Sequence, residues 1–167
     1  MGDHWQGQHS AALRKQAAAL LEENYLHTHS TWVEGHLELL CELRAALGND
    51  LDKVIIMGVI GQRMMKAVTS TAASYGELAQ GEYALDESRL TNIESISASS
   101  GIPRESVRRK VMELVEAGWV GRNAEGRLWI QTEGTRALEK CTAIELGFIS
   151  TMIAKLIGMM EVAAPDT

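Results

Sequence analysis

The stretch from Thr91 to Thr132 constrains the fold of this chain more than any other part of the sequence. Two segments with helical spacing of apolar residues flank Gly101-Ile102-Pro103, and two short apolar segments around a polar turn follow them. Thr91 or Asn92 can cap the first helix, the glycine permits a sharp turn, and the proline suits the first turn of the second helix. A helix, a tight turn, a second helix and a β-hairpin form a winged helix-turn-helix, which the sequence therefore predicts.

The second helix of this motif, predicted over residues 103–117, has an inner apolar stripe and an outer polar face. Val107, Val111 and Leu114 form the stripe, and Gly118 is placed to end the helix. At about 100° per residue, the side chains that point outward, opposite the stripe, are those of Glu105, Arg109, Met112 and Glu116. Since base recognition normally uses the N-terminal turns of such a helix, the candidate contacts to DNA are Arg104, Glu105, Ser106, Arg108 and Arg109.

Two further groups of basic residues are candidate phosphate contacts. Arg108 and Lys110 lie on the flanks of the second helix, where phosphates are the nearer targets. In the predicted wing, residues 119–131, Gly126 suits a left-handed position in the loop. Arg122 and Arg127 flank that loop and can reach phosphate or the minor groove.

Other interpretations of the same residues stay open. Glu105 and Arg109 are spaced as an i,i+4 ion pair, which is equally typical of a solvated helix face. The two wing arginines are also consistent with ordinary surface positions. Trp119 and Trp129 are better explained as packing the hairpin onto the helices than as stacking on a base.

A resemblance to a known family rests on the spacing of these residues. Bacterial winged-helix regulators of the MarR type, and secondly of the GntR type, are similar to the pattern Ile93-x-x-Ile96-Ser97-x-x-x-Gly101-Ile102-Pro103-x-x-x-Val107-Arg108-Arg109-x-Val111-x-x-Leu114-x-x-x-Gly118-Trp119-Val120. Thr132-Glu133-Gly134 resembles the MarR-type exit into a dimerisation helix. The resemblance implies a homodimeric transcriptional regulator that binds a pseudo-palindromic operator in double-stranded DNA. The predicted helical region before the motif is longer than in MarR-type proteins, and the wing is shorter.

The flanking regions predict long helices, so the expected fold is mainly α. The first helix is predicted from about Ser10, with an interruption at 27–30 and a new start at a capping box of Thr31 and Glu34. A very apolar helix follows at about 51–78, which belongs either to the chain's own core or to a subunit interface. Residues 76–87 are predicted to form a connector.

A last apolar helix is predicted at about 135–162, with an apolar surface too wide for one stripe. The resulting organisation has an N-terminal helical dimerisation region at 1–85, a winged helix at 86–132 and a C-terminal dimerisation helix at 133–167, all intertwined in one domain. A small-molecule effector, where one exists, would bind between the winged helix and the dimerisation helices and change the spacing of the two DNA-binding units.

Charge supports DNA binding only locally. The whole chain has a formal net charge of −6. Residues 1–85 carry six basic and ten acidic side chains, residues 86–131 carry seven of each, and residues 132–167 carry three basic and five acidic. The predicted winged helix is therefore the least acidic part of an acidic protein, and phosphate contact requires positive charge near the contact rather than overall.

Nothing else in the sequence predicts a reaction, a cofactor or a metal. The five histidines lack the i,i+4 spacing of helical zinc sites, and Cys41 and Cys141 fall on apolar helical faces, which favours inert buried thiols. No nucleophile elbow or phosphate-binding glycine loop is present. The N-terminus has no leader-like sequence and the longest apolar run, Val54–Ile60, is far short of a span, so we expect a cytoplasmic protein with no membrane partner.

The sequence thus predicts a non-enzymatic, homodimeric DNA-binding transcriptional regulator, with residues 103–117 in the major groove and residues 119–131 on the backbone or minor groove. The alternative is a winged-helix module that binds protein instead of DNA, which the neutral charge of residues 86–131 favours.

Overall fold

The described part of the chain is mainly helical and contains one small antiparallel sheet. The computed structural model describes residues 2–69 and 74–163. Within these residues the elements are α1 (Gly2–Glu23), α2 (Tyr25–Ala46), α3 (Leu51–Ala67), α4 (Tyr75–Gln80), a 3-10 turn (Glu87–Arg89), α5 (Ile93–Ser100), α6 (Arg104–Glu116), β1 (Val120–Arg122), β2 (Leu128–Ile130), α7 (Thr132–Ala137) and α8 (Glu139–Ala163). The predicted mainly α class with a single hairpin is confirmed.

Internal contacts divide the chain into two compact units. Cys41–Cys141 forms one unit, and Met1–Leu40 with Thr142–Thr167 forms the other. The predicted N-terminal helical region, residues 1–85, includes α3. In the structure α3 packs against α5, α6 and β2 in the unit Cys41–Cys141.

The core of the unit Cys41–Cys141 is formed by α3, α5, α6 and both strands together. One side of α3 buries apolar side chains together with those of α5, α6 and both strands. The buried residues of this core are Leu47, Ile56, Met57, Ile60, Ile96, Ile102, Val107, Val111, Leu114, Val120 and Leu128. Leu51, Ile55 and Met65 of the same helix remain exposed. The inner face of this helix therefore belongs to the unit's own core, and the subunit interface stays a prediction for its exposed face.

The start of α3 is fixed by a chain reversal and a cap. Gly48 and Asn49 both adopt positive φ, at 70° and 63°, and the amide of Asn49 donates to the carbonyl of Arg44 at 2.7 Å. Asp50 then caps α3, because its Oδ1 accepts the amides of Asp52 at 3.0 Å and Lys53 at 3.3 Å.

The prediction that this helix continues to residue 78 is wrong. It ends at Ala67, and Val68 pairs with Leu85 in an isolated β-bridge. A separate helix, α4, begins after Ser74, whose hydroxyl and backbone form a capping box with Glu77. The predicted connector, residues 76–87, therefore includes residues 76–80 of α4. Residues 70–73 lie outside the described residues.

The break between the first two helices lies earlier than predicted. Thr31 is inside α2 and its hydroxyl donates to the carbonyl of His27 at 3.2 Å, so it starts no helix. The break is at Asn24, where the side-chain amide donates to Leu20 and the backbone carbonyl accepts from the Thr28 hydroxyl. Such side chain-to-backbone bonds bend a helix without a break in its apolar periodicity, which is why periodicity alone misplaced the break.

The C-terminal helix is divided rather than continuous. Thr132–Ala137 forms the short helix α7, and Leu138 interrupts it before α8. Gly134 is buried in α7, where a Cβ would lie 2.5 Å from the carbonyl oxygen of Trp119. The glycine lets α7 approach the hairpin closely, and Thr132-Glu133-Gly134 is part of this short helix.

The unit Met1–Leu40 with Thr142–Thr167 exposes a large apolar surface. Leu146, Ile149, Ile153 and Ile157 of α8 are 43–55% exposed, and at about 100° per residue they lie within an arc of about 80°. We call these four residues the α8 stripe. On α2, the rings of Tyr25, His29, Trp32 and His36 stack in sequence along the exposed surface, with centroids 4.6, 5.8 and 4.8 Å apart.

One helix of the described chain, Glu139–Val162, has the length and composition that a membrane crossing requires. Its mean hydropathy is 1.6, and none of its apolar window is buried within the chain. Length and composition are weak evidence alone, because core helices of soluble proteins meet the same test.

Candidate nucleic-acid interface

Local signals position α5 and the turn that follows it. The side chain of Asn92 caps α5 by accepting the amide of Ser95 at 2.9 Å. Ile96 is fully buried, and Gly101 has a φ of 73°, a left-handed conformation that costs glycine little. The hydroxyl of Ser97 donates to the carbonyl of Ile102 at 2.8 Å and so ties the helix to the turn. The predicted cap, turn and inward isoleucine are confirmed.

The second helix, α6, presents the two faces that the sequence predicts. Val107, Val111 and Leu114 are buried, and Gly118 closes the helix with a φ of 75°. Pro103 occupies the N-cap position, one residue before the predicted first turn. On the outer side Arg104, Glu105, Arg108 and Arg109 are exposed, and Ser106 is half-buried.

Lys110 is placed differently from the prediction. It was expected on an accessible flank of the helix, but its side chain is buried and its ammonium group pairs with Asp50 and, at 3.4 Å, with Asp52. No local signal in the sequence indicates this contact, because Asp50 lies 60 residues from Lys110. Lys110 therefore fastens α6 to the start of α3 and is not presented to a phosphate.

The electrostatics of this contact favour the charged pair. Burial alone would raise the pKa of Asp50, but the hydrogen bond from Lys110 and the capping amides outweigh it, so the pKa lies below its ordinary value. For Lys110, burial opposes the charge, but the carboxylates of Asp50 and Asp52 outweigh it and raise the pKa. Both partners are charged at neutral pH.

The exposed arginines of α6 also have partners. Arg108 donates to Glu105 through Nε, at 3.1 and 2.9 Å, and through Nη2 at 2.6 Å. This hydrogen bond lowers the pKa of Glu105 and raises that of Arg108. Arg109 pairs instead with Glu113 at 2.9 Å, so the suggested Glu105–Arg109 pair is not formed.

Glu113 also binds Lys53 of α3, with Nζ and Oε2 2.7 Å apart. The hydrogen bond from Lys53 lowers the pKa of Glu113, with a smaller contribution from the charge of Arg109. The Arg109–Glu113 spacing of four residues was a sequence signal for this pair, whereas nothing local indicated Lys53.

The hairpin follows the predicted pattern. β1 and β2 pair antiparallel with Val120 opposite Ile130 and Gly121 opposite Trp129. The ring of Trp129 lies directly over Gly121, leaving no room there for a side chain. Gly126 has the expected positive φ, at 77°. Both tryptophans pack against buried clusters, as predicted: Trp119 against the main core and Trp129 against Met64, Ala67 and Leu90.

The two hairpin arginines differ in position. Arg122 is exposed, and its Nη1 lies 3.8 Å from the sulfur of Met112 on α6. Arg127 is half-buried and its Nη1 donates to the carbonyl of Leu90 at 3.0 Å. Arg122 is therefore exposed beside α6, where it can face a ligand, whereas Arg127 ties the hairpin to the chain preceding α5.

A cavity of about 570 Å³ lies between the start of α5, the outer face of α6 and the hairpin loop. Its lining consists of Asn92, Ile93, Glu94, Arg104, Glu105, Arg108, Met112, Arg122, Glu125 and Gly126. The structure thus brings four of the predicted site residues to one concave surface. Ser106, Arg109, Lys110 and Arg127 do not line it. Met112 was predicted to point outward on this helix but was not named as a contact, because only polar and charged residues were named.

The two cysteines differ in exposure. Cys41 is exposed, which corrects the expectation of a buried thiol. Cys141 is buried as expected, and burial raises its pKa, with the nearby Glu42 adding to the effect. Within residues 2–69 and 74–163 the structure brings no three histidine, cysteine, aspartate or glutamate side chains together as a metal site.

Comparison with protein-family models, with curated proteins and with solved structures gives no significant match to this chain.

Proposed function

We propose that the chain is a winged-helix transcriptional regulator that binds double-stranded DNA. The observation that carries this proposal is the order α5, turn, α6 and hairpin, with Arg104 and Arg108 of the helix and Arg122 of the hairpin around one open cavity. A helix that is anchored by an inner stripe and has arginines on its first two outer turns fits a major groove. A MarR-type arrangement is proposed on the residue pattern of the motif alone.

In this proposal the N-terminal turns of α6 contact bases and the hairpin contacts the backbone. Arg104 is exposed at the first position of α6 and can donate two hydrogen bonds to guanine. Arg122 extends from the hairpin on the same side as Met112 and suits a phosphate or the minor groove. Lys110 is not part of the proposed contact set, since Asp50 and Asp52 hold it.

The proposed active form is a cytoplasmic homodimer. The α8 stripe exposes a leucine and three isoleucines on one face of a long helix, a surface that a second copy could bury. A dimer would present two α6 helices, which fits a pseudo-palindromic operator with half-sites about one helical turn apart. The proposed role is regulatory and needs no catalytic residue.

A second candidate is a winged-helix module that binds protein. One observation favours it: Arg108 and Arg109 are paired with carboxylates of their own helix, which reduces the positive field of α6. With its positive field reduced in this way, α6 would attract the DNA backbone only weakly, and a polar protein surface would be the better partner.

Fluorescence anisotropy with labelled duplex DNA over a salt series tests the proposal. We expect binding that weakens steeply with salt, and a loss of about tenfold or more in affinity for Arg104→Ala, in the range of one lost bidentate contact. Arg63→Ala removes an exposed arginine of α3 that lies outside the cavity and serves as the matched control. Wild-type protein that ignores duplex DNA at low salt would refute DNA binding and leave the protein-binding candidate.

A further inference from the structure

The arginines of α6 differ in how firmly the protein's own carboxylates hold them. Arg108 is bound by Glu105 through three hydrogen bonds of 2.6 to 3.1 Å, and Arg109 is bound by Glu113. In the described part of the chain, Arg104 forms no ion pair with a nitrogen–oxygen distance within 4.0 Å. One arginine of the cavity is thus free and the next one is already neutralised.

Glu105 is distinguished from the other acidic residues of the cavity by this pairing. Glu94 and Glu125 also line the cavity and are exposed. Among the residues that the structure describes, neither forms an ion pair with an arginine. The cavity lining therefore contains three arginines and three glutamates. Of these three glutamates, only Glu105 accepts hydrogen bonds from an arginine.

We propose that Glu105 is a specificity-determining residue, which holds Arg108 away from DNA phosphates and so keeps the protein from binding duplexes of the wrong sequence. This inference rests on the proposed DNA-binding function. A phosphate that takes Arg108 from Glu105 leaves the carboxylate facing the DNA backbone, so the exchange gains little. A matching base edge avoids that loss, because a cytosine amino group donates to a carboxylate while a guanine accepts from an arginine. Glu105 and Arg108 can then bind neighbouring bases together.

Salt dependence gives the proposal a quantitative signature. Each phosphate that a basic side chain neutralises adds about −0.9 to the slope of log affinity against log salt concentration on duplex DNA. An arginine held by a carboxylate contributes none of this to non-specific binding. Glu105→Gln frees Arg108, so the slope for a duplex of arbitrary sequence should steepen by about 0.9.

The experiment compares Glu105→Gln with Glu125→Gln by anisotropy on a 20-base-pair duplex of scrambled sequence. Both substitutions remove one negative charge from the same cavity, but only the first releases an arginine. We expect Glu105→Gln to bind about three- to fivefold more tightly at low salt with the steeper slope, and Glu125→Gln to gain about twofold or less with an unchanged slope. Adding Arg108→Gln to Glu105→Gln should abolish the gain.

Equal gains for the two glutamine variants, or a gain that survives Arg108→Gln, would overturn the role of Glu105 and leave DNA binding intact. Failure of the wild type and all variants to bind any duplex at low salt would instead overturn the proposed function itself.

Discussion

Replacement of Asp50 by asparagine tests the contact that fastens α6 to α3. Asp50 does two things at once: its Oδ1 caps α3, and its Oδ2 pairs with the buried ammonium group of Lys110. Asparagine is as good an N-cap as aspartate but carries no charge. Asp50→Asn therefore removes the ion pair and keeps the cap, whereas Asp50→Ala removes both.

The exposure of the two partners sets the expected loss of stability. The side chain of Lys110 is 9% exposed and that of Asp50 is 26% exposed. Exposed pairs contribute about 0.2–1 kcal/mol, and removing one partner of a fully buried pair costs about 3–5 kcal/mol. This pair lies between the two cases, and Asp52 remains as a second partner of Lys110. We therefore expect Asp50→Asn to lower the free energy of unfolding by about 1–2 kcal/mol. Loss of the cap in Asp50→Ala should cost about 1 kcal/mol more.

Thermal unfolding followed by circular dichroism at pH 7 measures both losses. At about 2–4 °C per kcal/mol for a chain of this size, Asp50→Asn should lower Tm by about 2–8 °C, and Asp50→Ala by a further 2–4 °C or so. Asp52→Asn is the control, because Asp52 is 44% exposed and its carboxylate lies 3.4 Å from the same ammonium group. An Asp50→Asn protein that melts within about 1 °C of the wild type would refute the anchoring role of the pair.

The same pair predicts a pH dependence. The pKa of Asp50 lies below its ordinary value of 3.8 in the folded chain, so its carboxylate stabilises the fold above that pH. This stabilisation is lost as the pH falls through the folded pKa. The pKa of Lys110 is raised, so its contribution is complete below the ordinary lysine value and is lost only as the pH rises beyond it. The Tm difference between wild type and Asp50→Asn should therefore be constant from about pH 5 to 9 and shrink below about pH 4.

Three further predictions concern packing, thiol exposure and assembly. Gly134→Ala should lower stability by about 1–3 kcal/mol, because a Cβ there would strike a backbone carbonyl. Its control, Gly58→Ala, places a Cβ where nothing lies within 4 Å and should raise stability by about 0.5–1 kcal/mol in chemical denaturation. Cys41 should react with a thiol reagent in the native protein well before the buried Cys141, and equal rates would contradict the assigned burial. Ile153→Glu on the α8 stripe should dissociate the proposed dimer in size-exclusion chromatography with light scattering, and a dimer unaffected by it would assign assembly to another surface.

The parts of the fold that the sequence predicted well depend on neighbours in the chain. Gly101, Gly118 and Gly126 each adopt the positive φ expected from their turns. Asn92 caps α5 as expected. The stripe of α6 is buried because its periodicity is that of a helix on a core. These features need only a few residues of context.

The missed features depend on contacts between distant parts of the chain or on bonds that periodicity does not register. Lys110 was placed on an accessible flank because its partner Asp50 is 60 residues away. The break at Asn24 is made by side chain-to-backbone bonds, which leave the apolar spacing of the helix undisturbed. The counts of basic and acidic residues give the net charge of residues 86–131 but not the pairing of Glu105 with Arg108. This pairing determines how much positive charge is available to a ligand.

Selection of bound fragments from genomic DNA tests the central proposal most directly. The account predicts enriched fragments that share an inverted repeat, with half-site centres about 10 base pairs apart. It also predicts that Arg104→Ala loses this enrichment, while Arg63→Ala keeps it. No enrichment over input DNA, or the same enrichment by Arg104→Ala as by wild type, would contradict sequence-specific DNA binding through α6.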